Sequence, residues 1–166
     1  MLVALLAAAT LFVAPPGFTE AKVLEPAASY VAGKPVHVYC ARTDLDLREY
    51  TQQMYGGNPG YEVGLALPGQ NAALLGQSQC YPLIDQLHKR KDDRYDLAES
   101  ILTLVHESVH LRGVTDEGQT ECSAMHEMPR VAVKFFHVRP GKQLRALMSD
   151  AWSAHRAKPA VYQSVC

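Results

Sequence analysis

The sequence of 166 residues has no excess of basic charge, since 16 Lys and Arg residues are matched by 17 Asp and Glu residues. A net charge of −1 argues against the basic surface with which proteins bind nucleic-acid phosphates, so we expect no nucleic-acid partner. The sequence also lacks a C-x-x-C pair, a glycine-rich phosphate-binding loop and the G-x-S-x-G turn of serine hydrolases. These absences argue against a zinc–thiolate site, a nucleotide-binding loop and a serine hydrolase.

Long apolar runs are scarce as well. Residues 1–14 are apolar apart from one threonine, which is short for a membrane span but suits the hydrophobic region of a signal peptide. We therefore predict a signal peptide or N-terminal anchor over 1–21, and a protein that is secreted or anchored to the outer face of the membrane through 1–14. Prolines and glycines predict a linker over 22–35, and 36–166 then form one domain, which we expect to be monomeric.

Four cysteines are present, at positions 40, 80, 122 and 166. An even number of cysteines after a signal-like segment predicts two disulfides, for which three pairings are possible. We favour Cys40 with Cys80 and Cys122 with Cys166. The second bond would tie the last residue to a helix that follows the motif described next.

The motif H-E-x-x-H occurs once, as His106, Glu107 and His110. Residues four apart lie one turn above each other on one face of a helix, so both imidazoles can reach a single metal ion. Glu107 lies about 100° further round the helix, where its carboxylate can reach a metal-activated water and act as a general base. Two imidazoles and a carboxylate favour Zn2+ as the ion.

The residues around the motif predict a helix with two distinct faces. Residues 97–105 contain neither Gly nor Pro, and apolar side chains fall on one side of the helical wheel (Ile101, Leu102, Val105 and Val109). Polar side chains fall on the other side (Thr103, His106, Glu107 and His110). One face is therefore expected to pack on the core while the other lines a cleft.

The third ligand is a choice between two neighbouring carboxylates. Gly113 can end the first helix, after which Asp116 is well suited to cap the next one, with Gln119 completing a capping box. If Asp116 is a cap, Glu117 lies in the first helical turn and Glu121 lies one turn later on the same face. We therefore prefer Glu117 as the third metal ligand and keep Asp116 as the alternative.

From His106 to Cys122 the sequence resembles the zincin metallopeptidases. Asp116 stands where metzincins have their third His, whereas the run from Asp116 resembles the second motif of gluzincins, in which a Glu binds zinc and an acidic residue four positions later supports a ligating His. The pattern looks most like small exported proteins of actinobacterial type with an H-E-x-x-H-x-x-G-x-x-x-E-x-x-x-E-C core. This resemblance implies zinc bound by His106, His110 and Glu117, with Glu121 supporting one of the imidazoles.

Local patterns elsewhere predict an α+β domain. We predict a strand over 36–40, a hairpin from 61–67 and 72–76, and helices over 44–54, 81–88 and 117–128, the last ended or kinked by Pro129. Together with the resemblance, these elements describe a minimal zincin-like domain: a small sheet or hairpin, then the active-site helix and two to three further helices.

The expected function is peptide-bond hydrolysis of a peptide or protein substrate by a zinc metallopeptidase, with Glu107 as the general base. One rival is a non-catalytic exported protein that keeps the zinc site, and another is an interaction module without metal. Several side chains are candidates for polarising a substrate carbonyl (Tyr95, Arg112, His126, His155 and Tyr162).

Overall fold

A computed structural model of the chain describes residues 14–56, 63–90 and 93–163. Within these ranges the strands are β1 (Phe18–Glu20), β2 (His37–Ala41), β3 (Gly64–Leu67) and β4 (Ala72–Leu75). The helices are α1 (Glu25–Ala32), α2 (Asp44–Tyr55), α3 (Gln77–Leu87), α4 (Arg94–Leu111), α5 (Glu117–Phe135) and α6 (Lys142–Ala157), and a short 3-10 turn, Ala160–Tyr162, follows α6. The predicted α+β class is confirmed.

The four strands form one mixed sheet in the order β1-β2-β4-β3. Strands β1 and β2 are antiparallel, β2 and β4 are parallel, and β3 and β4 form the predicted antiparallel hairpin, with Leu67 opposite Ala72. Strand β3 is therefore the terminal strand of the described sheet. This position matters for the site, because β3 packs against α4.

The sheet separates two hydrophobic clusters of different size. Successive side chains of a strand point to opposite faces. Val38 and Cys40 of β2 therefore join the large core formed with α1, α3 and α4, whereas Tyr39 joins a smaller cluster with Leu47 of α2. Most of the buried apolar surface thus lies on the face that carries α4.

Helix α4 is the central element and packs against α1, α3, α5, α6, β3 and β4. Asp93 caps its start by accepting a hydrogen bond from the backbone N–H of Tyr95 at 2.7 Å. The four apolar side chains predicted to face the core are all fully buried (Ile101, Leu102, Val105 and Val109). The polar face is also covered, since His106 is 4% and Glu107 is 7% exposed. The H-E-x-x-H residues therefore lie inside the domain rather than on an open surface.

The N-terminal boundaries differ from those predicted. Helix α1 lies in the predicted linker 22–35, and Leu24, Ala28 and Val31 belong to the main core. Strand β1 lies in the predicted signal or anchor 1–21 and pairs with β2. The domain therefore begins well before residue 36, because these buried and paired residues are part of it. Residues 1–13 lie outside the described ranges, and no described helix is long and apolar enough to cross a membrane.

Helix α5 continues through Pro129 to Phe135, so the proline does not end the helix. Proline removes one backbone hydrogen bond from a helix and crowds the preceding turn. Here Met128, Val131 and Ala132 are fully buried on both sides of the proline. Their packing against the core stabilises a helix that the local sequence alone disfavours.

The predicted disulfide between Cys40 and Cys80 is present and joins β2 to α3, with the two Cα atoms 5.7 Å apart. Cys122 is disulfide-bonded as well. Its predicted partner, Cys166, lies outside the described residues, so that pairing stays a prediction. Disulfides are typical of proteins in oxidising, extracytoplasmic compartments.

Candidate metal centre

Three side chains from α4 and α5 converge on one point. The Nε2 atoms of His106 and His110 are 3.0 Å apart, and Oε2 of Glu117 lies 3.1 Å from the first and 3.4 Å from the second. A histidine pair four residues apart on α4 and a carboxylate in the first turn of α5 thus form a triangle of donor atoms. These residues can hold a metal ion.

The opposite ring nitrogens fix the orientation of both imidazoles. Nδ1 of His106 donates to Oε2 of Glu121 at 2.8 Å, and Nδ1 of His110 donates to the backbone carbonyl of Val114 at 2.8 Å. In the neutral form that can bind a metal ion, each ring keeps its proton at Nδ1 and leaves the lone pair of Nε2 available to the ion. A protonated ring instead donates a hydrogen bond from Nε2 to Glu117. Oxygen acceptors on the distal nitrogen are the usual support for metal-binding histidines.

The loop between α4 and α5 brings these groups together. Helix α4 ends at Leu111, and Gly113 follows with a φ of +109°, in a region of backbone conformation that favours glycine. The chain then turns so that the carbonyl of Val114 meets the ring of His110. The short spacing between His110 and Glu117 is therefore sufficient to close the site.

Asp116 caps helix α5, which is the role that the sequence favours for it. Its side chain accepts a hydrogen bond from the backbone N–H of Gln119 at 2.8 Å and caps α5. Among the described residues, the converging group contains Glu117 and not Asp116. The capping geometry therefore favours Glu117 as the third ligand.

No protein-family model, curated protein or solved structure matches this chain. The interpretation of the site therefore depends on the arrangement of its residues. A second group of potential ligands, Glu20, Glu25 and His37, is found among the described residues, but it lies towards the surface. The buried donor set on α4 and α5 is the stronger candidate, because acidic groups near the surface are common without a metal.

The histidines and carboxylates of this cluster shift one another's pKa values. Burial alone would lower the pKa of His106, but its hydrogen bonds to the carboxylates of Glu117 and Glu121 raise that pKa to about 9. Hydrogen bonds from His106 and His110 lower the pKa of Glu117 to about 2. At neutral pH a metal ion therefore competes with a proton on His106, and this competition weakens as the pH rises towards 9.

Glu121 is the centre of a buried network behind the donor atoms. It is 0% exposed, and it accepts hydrogen bonds from His106, from Nζ of Lys158 at 2.9 Å and from Nδ1 of His155 at 3.3 Å. Burial alone would raise the pKa of Glu121, but the bond from His106 and the adjacent charge of Lys158 lower it to about 2. Glu121 thus remains an anionic acceptor for the His106 ring, which is the contact that its predicted supporting role requires.

Lys158 is a site residue that sequence reasoning missed. It follows α6, 37 residues after Glu121, and no local pattern connects the two positions. His155, considered above as a group that could polarise a substrate, instead supports Glu121 from the same end of α6. A carboxylate that stays anionic when it is buried needs compensating positive charge, and that requirement is the one signal that could have prompted a search for Lys158.

We expect Glu121→Gln to weaken metal binding about 10- to 100-fold, as losses of supporting partners do, because the His106 ring would lose its anionic acceptor. Zinc titration against a competing chelator would measure the change. Glu127→Gln is the matched control, since Glu127 lies on the same helix but pairs with Arg112 nearer the surface.

A second variant separates orientation of the ring from loss of folding. Glu121→Gln alone leaves the ammonium of Lys158 without its carboxylate, so its melting temperature should fall. The double variant Glu121→Gln/Lys158→Met removes both charges and should recover much of that melting temperature. If it also recovered full metal affinity, Glu121 would have no role in orienting His106.

A cavity of about 610 Å³ adjoins the metal group and is lined by Glu107 and His106. Gly64 of β3 forms part of its wall, and a Cβ at that position would lie 2.7 Å from Oε1 of Glu107. Glycine therefore allows the terminal strand to approach the carboxylate. Burial raises the pKa of Glu107, although the neighbouring His106 and His110 oppose this effect.

The remaining candidate side chains fall into two groups. Tyr95 and Tyr162 line the cavity, and the Tyr162 ring lies 5.7 Å from the His106 ring, measured between centroids. Arg112 is instead paired with Glu127, and His126 is exposed on α5. Tyr95 and Tyr162 are thus the two of this set placed to contact a molecule in the cavity.

Proposed function

We propose that this protein is an exported, zinc-dependent metallopeptidase of the zincin type. The observation that carries the proposal is the buried Glu107 carboxylate at the junction of the cavity and the His106–His110–Glu117 group. A metal site alone would suit a structural role as well. A carboxylate that lines a cavity beside the metal ligands is the arrangement that hydrolysis requires.

Zinc fits the donor set better than harder cations do. Ligand atoms around a tetrahedral zinc ion with bonds of about 2.0–2.1 Å lie about 3.3 Å apart. The three donor atoms here are separated by 3.0, 3.1 and 3.4 Å. Two imidazole nitrogens and one carboxylate oxygen are typical of catalytic zinc, whereas calcium and magnesium prefer oxygen ligands alone.

Bound zinc would supply a Lewis acid that makes water more acidic and polarises a peptide carbonyl. The carboxylate of Glu107 accepts the proton of the attacking water and returns it to the departing amine. Glu107 lines the cavity next to His106, so its carboxylate is placed to take up and return a proton there. The phenol of Tyr162 lines the cavity and can donate a hydrogen bond to the carbonyl oxygen.

Strand β3 favours an extended peptide as the substrate. It ends the described sheet, so its outer edge can pair with another strand through backbone hydrogen bonds. Gly64 places this strand beside Glu107, so a peptide along β3 would pass the general base. The signal-like start of the sequence and the Cys40–Cys80 disulfide support export of the protein.

The direct test combines metal analysis with peptide digestion. We expect about one zinc per chain in protein purified without chelator. Zinc-loaded protein should cleave a mixed peptide library, a chelator should stop cleavage, and added zinc should restore it. Zinc binding without cleavage would indicate a non-catalytic zinc protein, and failure to bind zinc in excess would exclude both functions.

A further inference from the structure

A second carboxylate lies in the cavity, away from the metal group. Glu99, Thr103 and Glu107 are four residues apart on α4, and all three line the same cavity. Glu99 lies about 12 Å from Glu107 along the helix axis, since each residue of an α-helix advances about 1.5 Å. The proposed catalytic step uses Glu107 and leaves Glu99 without a role.

Glu99 lacks a close partner for its charge. It is only partly exposed, and no residue in the described ranges donates a hydrogen bond to its carboxylate or forms an ion pair with it. Lys158 lowers the pKa of Glu99 through its charge, but its ammonium is hydrogen-bonded to Glu121. Burial raises the pKa of Glu99, and the neighbouring Asp96 adds to this increase. A cation entering the cavity would therefore gain an attraction that the protein itself does not satisfy.

Part of the cavity wall is suited to an aliphatic chain. Val63, Ala154, Ala157 and Pro159 also line the cavity and present mainly apolar surface. Lysine and arginine side chains place their methylene stems on such surface while the charged end reaches a polar group. Lys158 also lines the cavity, but its ammonium is paired with Glu121, so an acidic side chain would meet the carboxylates of Glu99 and Glu107.

We infer that the Glu99 end of the cavity is a specificity subsite for a lysine or arginine side chain of the peptide whose scissile bond lies at Glu107. This inference rests on the proposed peptidase function and names its substrate class. Because Glu99 and Glu107 are about 12 Å apart along α4, only a long side chain of a residue at the scissile bond can extend to Glu99. The α-amino group of such a residue would lie beside Glu107 and could not reach Glu99. The subsite therefore favours internal basic residues rather than a peptide amino terminus.

Cleavage and binding test the inference separately. Zinc-loaded wild type should cleave peptides with one lysine about tenfold faster than peptides with norleucine, which has a similar stem without the charge. Glu99→Gln should remove this preference while cleaving the norleucine peptides normally. Glu49→Gln is the matched control, because Glu49 is an exposed glutamate on α2 outside the cavity.

Binding is measured in proteins that carry Glu107→Gln, so that cleavage of the peptide is slow during the measurement. Calorimetry with blocked lysine and norleucine peptides should show about tenfold tighter binding of the lysine peptide, and Glu99→Gln should abolish the difference. Equal binding of both peptides, or a preference that survives Glu99→Gln, would overturn the subsite. If wild type cleaves nothing, the peptidase proposal fails, and the binding result still decides whether Glu99 recognises a basic side chain.

Discussion

Glu107→Gln should leave zinc content unchanged and reduce kcat about 10²- to 10⁴-fold, the usual contribution of a general base. The substitution keeps the size of the side chain, which matters because Gly64 of β3 lies close to it. It removes the ability to accept and return a proton. It also leaves the donor atoms of His106, His110 and Glu117 in place.

The measurement pairs metal analysis with steady-state kinetics on a peptide that the wild type cleaves. Glu49→Gln, on the exposed side of α2, provides a control for loss of one carboxylate. A loss of zinc in Glu107→Gln would show that Glu107 holds the metal site together. Undiminished turnover with full zinc content would exclude Glu107 as the base.

The metal-binding residues could be predicted from the sequence because the patterns that identify them involve residues close together in the chain. The spacing of His106 and His110 places both rings on one helical face, and the capping preference of Asp116 identifies Glu117 as the first residue of the next helix. These signals need only the residues from the motif to the first turn of α5. The structure brings the same residues together.

The supporting part of the site could not be predicted, because it depends on how distant helices pack. Lys158 reaches Glu121 only because α6 packs against both α4 and α5. Gly64 lies close to Glu107 because β3, the terminal strand of the described sheet, packs against α4. Neither relation leaves a periodic or spacing signal in the sequence.

The linker predicted over 22–35 contains helix α1, whose formation also depends on packing against distant residues. Helix α1 has eight residues, and Leu24 at its start makes no side-chain capping hydrogen bond, so the usual start signal is missing. Pro26 looks like a linker residue, yet proline is well tolerated in the first turn of a helix. Burial of Ala28 and Val31 against the main core stabilises the helix instead.

Glu117→Ala should abolish or greatly weaken zinc binding, whereas Asp116→Asn should change the affinity little. Oε2 of Glu117 lies within 3.4 Å of both histidine Nε2 atoms, so its removal deletes one corner of the donor triangle. Asp116 caps α5 through the N–H of Gln119, and asparagine is an equally good cap. The two variants therefore change adjacent carboxylates with opposite expected results.

Competition titration with a chromophoric chelator would measure both affinities, and circular dichroism would confirm that each variant is folded. Glu117→Gln adds a sharper comparison, because it keeps an oxygen in place but removes the charge that balances the imidazoles and the ion. Its affinity should lie between those of wild type and Glu117→Ala. If Asp116→Asn lost the metal and Glu117→Ala retained it, Asp116 would be the third ligand, as in the metzincin-like alternative. Glu117 would then have only an electrostatic influence on His106 and His110.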